Sequence, residues 1–153
     1  MILVSACLMG IDCKYSGGNN RNEKVADYLK DKQYTFICPE QMGGMCTPRK
    51  PSEIKGGSGE DVLSGKCSVI SKRGADVTEN FVKGAEEALK IAGITGADMA
   101  ILKESSPSCG SSKIYDGTFS SNKIAGEGVA AALLRKNGIK IISEKDIEKI
   151  EVY

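Results

Sequence analysis

Ile2-Leu3-Val4-Ser5-Ala6-Cys7-Leu8-Met9-Gly10-Ile11-Asp12-Cys13-Lys14-Tyr15-Ser16-Gly17-Gly18 is the stretch on which the fold turns. Its first residues, Ile2 to Ala6, form a nearly continuous apolar run, the pattern of a strand buried on both faces of a parallel sheet. A glycine-punctuated loop follows and carries Cys7 and Cys13. Two later segments repeat the order of strand, loop and cysteine: Phe36-Ile37-Cys38-Pro39-Glu40, and Ala100-Ile101-Leu102-Lys103 leading to Ser106-Pro107-Ser108-Cys109-Gly110. Ligands of open parallel sheets bind beyond the carboxyl ends of the strands, so Cys7, Cys13, Cys38 and Cys109 are expected to meet there.

Outward from that stretch, the pattern predicts a helix over 22–30 capped by Asn19 or Asn20, with Val25, Ala26 and Leu29 inward, then a strand over 34–37. Residues 43–65, rich in Gly, Pro, Ser and charge, read as a functional loop or lid. A short strand is expected over 67–71. The clearest helix spans 77–92, with Asp76 and Glu79 as a capping box and Gly93 as its stop. A strand at 99–102 precedes a loop-like region over 104–125 with an extended piece at 114–119. A helix over 127–136, a strand over 139–142 and a short terminal helix complete the chain. Alternating strands and helices of these lengths predict an α/β fold: a three-layer α/β/α sandwich with a mainly parallel, Rossmann-like sheet, in one domain over residues 1–153.

The balance of 21 basic against 20 acidic residues gives no polyanion-binding footprint, so no nucleic-acid partner is expected. No basic leader precedes the first strand, and no apolar run approaches the ~20 residues of a spanning helix, so a cytoplasmic protein without membrane attachment is expected. Histidine is absent, which removes Ser-His-Asp and Cys-His catalysis and the paired-histidine zinc motifs. Proton transfer therefore falls to a carboxylate, lysine, tyrosine or thiol.

Six cysteines in 153 residues are too sparse for a disulfide scaffold, and no C-x-x-C knuckle points to structural zinc. Thiolates presented from separate loops suit a soft centre such as an iron-sulfur cluster. Glu40, two residues after Cys38, is the best-placed carboxylate for acid/base work. Ser106 and Ser108 can donate to a thiolate or substrate or simply shape the turn around Pro107. Arg49 could bind an anion, although an arginine between two prolines is usually a surface residue. The segment from Gly126 to Ala131 loosely fits a dinucleotide loop but follows no strand; close packing at Gly128 is the better reading.

At these residues the sequence resembles the family catalogued as domain of unknown function 523, which includes the thiouracil desulfidases. The matching stretches are Ser5-Ala6-Cys7-Leu8-Met9-Gly10 with Cys13-Lys14-Tyr15, Cys38-Pro39-Glu40-Gln41-Met42-Gly43-Gly44 with Thr47-Pro48-Arg49, and Ser106-Pro107-Ser108-Cys109-Gly110 with Tyr115-Asp116-Gly117-Thr118-Phe119. The resemblance implies a [4Fe-4S] cluster held by three of Cys7, Cys13, Cys38 and Cys109, and non-redox desulfuration of a small thiolated pyrimidine. It assigns Glu40 as the acid/base residue and Ser106 as a substrate-positioning hydroxyl; Cys46 and Cys67 match no family cysteine. Two other classes compete: a non-catalytic iron-sulfur or metal-binding sensor, and a thiol redox protein using Cys7 and Cys13.

Overall fold

The computed structural model describes residues 1–150. Four short strands, β1 (Ile2–Ser5), β2 (Tyr34–Ile37), β5 (Met99–Leu102) and β8 (Lys140–Ser143), form a sheet in the order β2-β1-β5-β8. Every pairing in it is parallel. Side chains alternate across the sheet, so Ile2 and Val4 pack with Val25 and Leu29 of α1 (Glu23–Leu29) and with Ile147 of α6 (Ile147–Ile150). Leu3, Ala100 and Leu102 face the other way, onto Ala88 and Ala92 of α4 (Thr78–Thr95) and Ala131 and Leu134 of α5 (Val129–Lys136). Helices thus cover both faces, the expected three layers.

The chain leaves β1 toward β2 on one side and later places β5 on the other, so the order reverses at β1. This switch point opens the crevice in which open α/β sheets hold ligands. Ser5 and Ile37 stand opposite each other at the carboxyl edge, and the Ser5 hydroxyl accepts a hydrogen bond from the Lys103 backbone N–H at 3.1 Å.

Several local expectations are corrected. The cap of α1 is Asn22, whose side chain accepts from the Val25 N–H at 3.2 Å; Asn19 is occupied instead with Asp12 and the Arg21 N–H. Helix α4 runs through Gly93, whose missing side chain would meet only open space, and stops at Gly96 in left-handed backbone. No capping box opens it: Asp76 accepts from the Thr78 N–H, and Val77 occupies the cap position. The 43–65 segment is not one loop, because β3 (Ser52–Lys55) pairs antiparallel with β4 (Ser68–Ser71), and α3 (Gly59–Leu63) lies between them. Likewise β6 (Lys113–Tyr115) and β7 (Lys123–Ala125) form a hairpin, so 116–119 is a turn and not a strand.

A four-residue helix, α2 (Pro39–Met42), follows Cys38. It lies directly on α4: a Cβ added at Gly84 would sit 1.9 Å from the Pro39 carbonyl oxygen, and one at Gly43 would sit 1.9 Å from that of Asn80. Backbone contact this close requires glycine at both positions, one within α4 and one just past the end of α2. Among the described residues, no helix is long and apolar enough to cross a membrane.

Candidate active site

A cavity of about 410 Å³ opens at the carboxyl edge of the sheet. It is lined by Cys7, Cys13, Cys38 and Cys109, and by Glu40, Ser106 and Arg49. The structure therefore brings together every residue singled out by the sequence. All six cysteines are free; Cys46 is exposed, Cys67 bonds the Ser58 carbonyl, and neither lines the cavity.

Cys7 sits on a single 3-10 turn, Ala6–Met9, that continues β1 and ends at Gly10 in left-handed backbone. Its carbonyl accepts from the Gly10 and Asn20 N–H groups, which fold the loop back and bury Cys13 beside it. Cys38 caps α2, and its thiol lies 3.8 Å from the Cys13 carbonyl oxygen. Cys38 and Cys7 beside it, together with burial, hold the Cys13 thiol well above the usual thiol range. The Cys38 thiol falls to about 6, chiefly through the bond from Cys13 acting against burial, with the Gln41 N–H adding to it. Cys7 falls to about 7, again mainly through Cys13, with Asn20 assisting. Burial drives Cys109 the other way, up to about 12. Among the described residues, no three His, Cys, Asp or Glu side chains close around one point as they would on a single metal ion.

Pro39 starts α2 and Glu40 occupies its first turn. The Glu40 carboxylate accepts from Arg49 Nε at 3.0 Å and from Ser108 Oγ at 2.9 Å. Arg49 is not a surface residue here: its guanidinium also donates to the Cys13 carbonyl at 2.9 Å, the Thr47 hydroxyl at 2.9 Å and the Cys46 carbonyl at 3.1 Å. Four donor bonds from one planar group fasten the second strand end to the first cysteine loop.

Ser106 Oγ accepts from the backbone N–H groups of Ser108 and Cys109 and lies 2.9 Å from Ser108 Oγ. Since Ser108 gives its proton to Glu40, the Ser106 hydroxyl donates to Ser108, making a directed chain from Ser106 through Ser108 to Glu40. This loop is itself held by a buried residue that sequence reasoning missed. Glu104 Oε1 accepts from the backbone N–H groups of Ser105, Ser111, Ser112 and Lys113, and Oε2 from the hydroxyls of Ser111 and Ser112. Burial alone would raise its pKa, but these bonds outweigh it and bring the carboxyl down to about 2. From outside, α5 donates its first N–H groups to the carbonyls of Pro107 and Ser108. Gly128 makes this approach feasible, because a Cβ there would lie 2.5 Å from the Ser108 carbonyl carbon. The run of serines around Glu104 is the only signal in the sequence for this cage.

The comparisons agree with this architecture. A family model described as 2-thiouracil desulfurase matches residues 2–146. The uncharacterized protein YbbK of Bacillus subtilis (strain 168) is 49% identical over 150 residues, covering 98% of this chain and 99% of its own. Among solved structures, the [4Fe-4S]-dependent thiouracil desulfidase TudS superposes with a TM-score of 0.86 at 38% identity, covering 99% of this chain and 95% of that one. With the family model matching nearly the whole sequence, the chain belongs to the 2-thiouracil desulfurase family, domain of unknown function 523.

Proposed function

We propose that the protein replaces the sulfur of a thiolated pyrimidine such as 2-thiouracil with oxygen from water, with no net redox change. In balance, the thiocarbonyl carbon gains oxygen from water and loses sulfur as hydrosulfide, and the two protons of water go to the departing sulfur and the solvent. The observation that carries this reading is the junction of four unpaired cysteines with a partly buried, hydrogen-bonded carboxylate in one cavity large enough for a pyrimidine.

The donor set fits a [4Fe-4S] cluster. Its thiols come from three strand ends, Cys7 and Cys38 lean toward thiolate, and no disulfide competes for them. Three of Cys7, Cys13, Cys38 and Cys109 would hold it. When bound, such a cluster would supply a Lewis acid that polarises the thiocarbonyl and takes the sulfur.

The remaining chemistry belongs to the chain. Glu40 accepts the proton of the attacking water, the role open to a carboxylate in a chain without histidine. Arg49 and Ser108 fix the carboxylate's two oxygens, so its free lone pairs point to a set position. Ser106, held by two backbone N–H groups, ends a hydroxyl chain through Ser108, along which the proton taken up by Glu40 can pass outward to the departing sulfur as the two hydroxyls reverse their bonds. The deciding experiment is anaerobic purification with iron and sulfide analysis, followed by incubation with 2-thiouracil. Release of uracil and sulfide in equal amounts is expected; an iron-free protein, or an iron-loaded one that binds without turnover, would overturn the reading.

A further inference from the structure

Phe119 and Ser121 have left-handed backbone, with φ of 56° and 63°, in the turn between β6 and β7, and both line the cavity. Ser105, with φ of 65°, is the remaining non-glycine residue with positive φ among the described residues, and it lines the cavity too. Contact between Cβ and the backbone disfavours this conformation. It persists where the surroundings over-determine it, and such residues gather at ligand clamps. Glu104 accounts for Ser105 through its N–H. A different carboxylate accounts for Phe119.

Glu53, on β3 and 8% exposed, accepts with Oε1 from the N–H groups of Gly117 at 3.0 Å and Phe119 at 3.1 Å. Gly117 lets the turn lie flat on β3, since a Cβ there would be 2.7 Å from the Ile54 carbonyl oxygen. Asp116 closes the turn from its other side, accepting from the Thr118 N–H at 2.9 Å and Asn122 Nδ2 at 3.1 Å. All this wiring fixes an aromatic side chain that belongs neither to the cores on the two faces of the main sheet nor to the apolar cluster of Ile54, Val69, Phe81 and Ile114. Tyr115, which also lines the cavity, is outside them as well. A large apolar ring held out of the core, in strained backbone, over a cavity has a ligand as its natural contact.

We infer that Phe119 is the face on which the planar ring of the substrate stacks, with Tyr115 in the same wall, and that Glu53 is the positioning residue that holds Phe119 there. The inference rests on the desulfidase reading for the identity of the ring. Hydrogen bonds to a thioamide cannot separate a heteroaromatic thione from an open-chain one, whereas an aromatic wall favours the flat ring. The clamp thus makes the site selective for thiolated heteroaromatics over molecules such as thiourea.

The test uses the iron-loaded protein under anaerobic conditions. Binding of uracil, which has no sulfur to lose, is measured by calorimetry, and KM is measured for 2-thiouracil and for thiourea. Phe119→Ala should weaken uracil binding and raise the 2-thiouracil KM by about tenfold, while the thiourea KM moves little. Phe119→Tyr should restore binding, and Phe119→Leu, which keeps apolar volume without a flat face, should not. Glu53→Ala should reproduce the loss, Glu53→Gln should recover most of it through its amide oxygen, and the Glu53→Ala and Phe119→Ala effects should fail to add because one acts through the other. Wild-type uracil affinity in Phe119→Leu overturns the stacking face, and additive effects overturn the role of Glu53. Should the wild type release no sulfide while Phe119→Leu still weakens uracil binding, the clamp stands and the desulfidase reading falls.

Discussion

Arg49 Nε lies 3.0 Å from Glu40 Oε1, with the two side chains only 6% and 16% exposed. A pair this dry is sensitive to the loss of one partner, because the other charge is left buried and uncompensated. Arg49→Met should destabilise the fold by about 3 kcal/mol, read as a shift in the urea midpoint, and adding Glu40→Gln should recover part of that loss. A midpoint equal to that of the wild type would mean the guanidinium is held for the Cys13 carbonyl alone.

Glu40→Gln keeps an oxygen acceptor but cannot take a proton. With iron and sulfide contents matching the wild type, desulfuration of 2-thiouracil should fall by about 100- to 10,000-fold. An undiminished rate in fully loaded protein would remove Glu40 from the chemistry.

Ser108 links Ser106 to the carboxylate, and its hydroxyl also lies 3.7 Å from the Cys109 thiol. Its bond to Glu40 is charge-assisted, and losing a bond of that kind costs about 1.5–3 kcal/mol, so Ser108→Ala should lower kcat by about 10- to 100-fold. Ser106→Ala should additionally leave the Ser108 and Cys109 N–H groups without their acceptor, so it should lower the melting temperature as well as the rate. Equal melting temperatures for the two variants would contradict this difference.

Glu104 supplies a pH test away from the cysteines. Its folded pKa, about 2, lies below the usual 4.5, so its ionised form stabilises the fold. That contribution is complete above the unfolded pKa and disappears as pH falls through the folded value. Allowing for solvent screening it amounts to about 2 kcal/mol. Wild-type and Glu104→Gln proteins should differ by that amount in urea at pH 7, and the gap should narrow between pH 4.5 and about 2. A gap independent of pH would show that shape and not charge is what the cage needs.

The central sheet was legible in the sequence because its strands are short and centred on apolar residues, most continuously in β1 and β5, and the meeting of the cysteines followed from where parallel strands end. Other features left no local pattern to read. Helix α2 has four residues, too few to show a period, and β3 reads Ser-Glu-Ile-Lys, which becomes a strand only by pairing with β4. Arg49 looked like a surface residue between prolines because its partners at Cys13 and Glu40 come from other segments. The Ser108 to Glu40 bond spans 68 positions, and the Glu53 to Phe119 bond spans 66, distances over which composition and spacing carry no information. Caps were misplaced for a related reason: several asparagines, or two glycines, satisfy the same local rule, and tertiary contacts choose among them.

The contact between Gly84 and Pro39 has a consequence for how function would be mapped genetically. No residue of α4 lines the cavity, yet α4 is the floor on which α2, and therefore Cys38 and Glu40, rests. One methyl group at position 84 would have to displace the Pro39 carbonyl, lifting α2 and carrying the carboxylate away from Ser108. A screen for inactive variants would then score a helix glycine, chemically inert and remote from the substrate, alongside the acid/base residue, and only the spacing of two backbones would explain why.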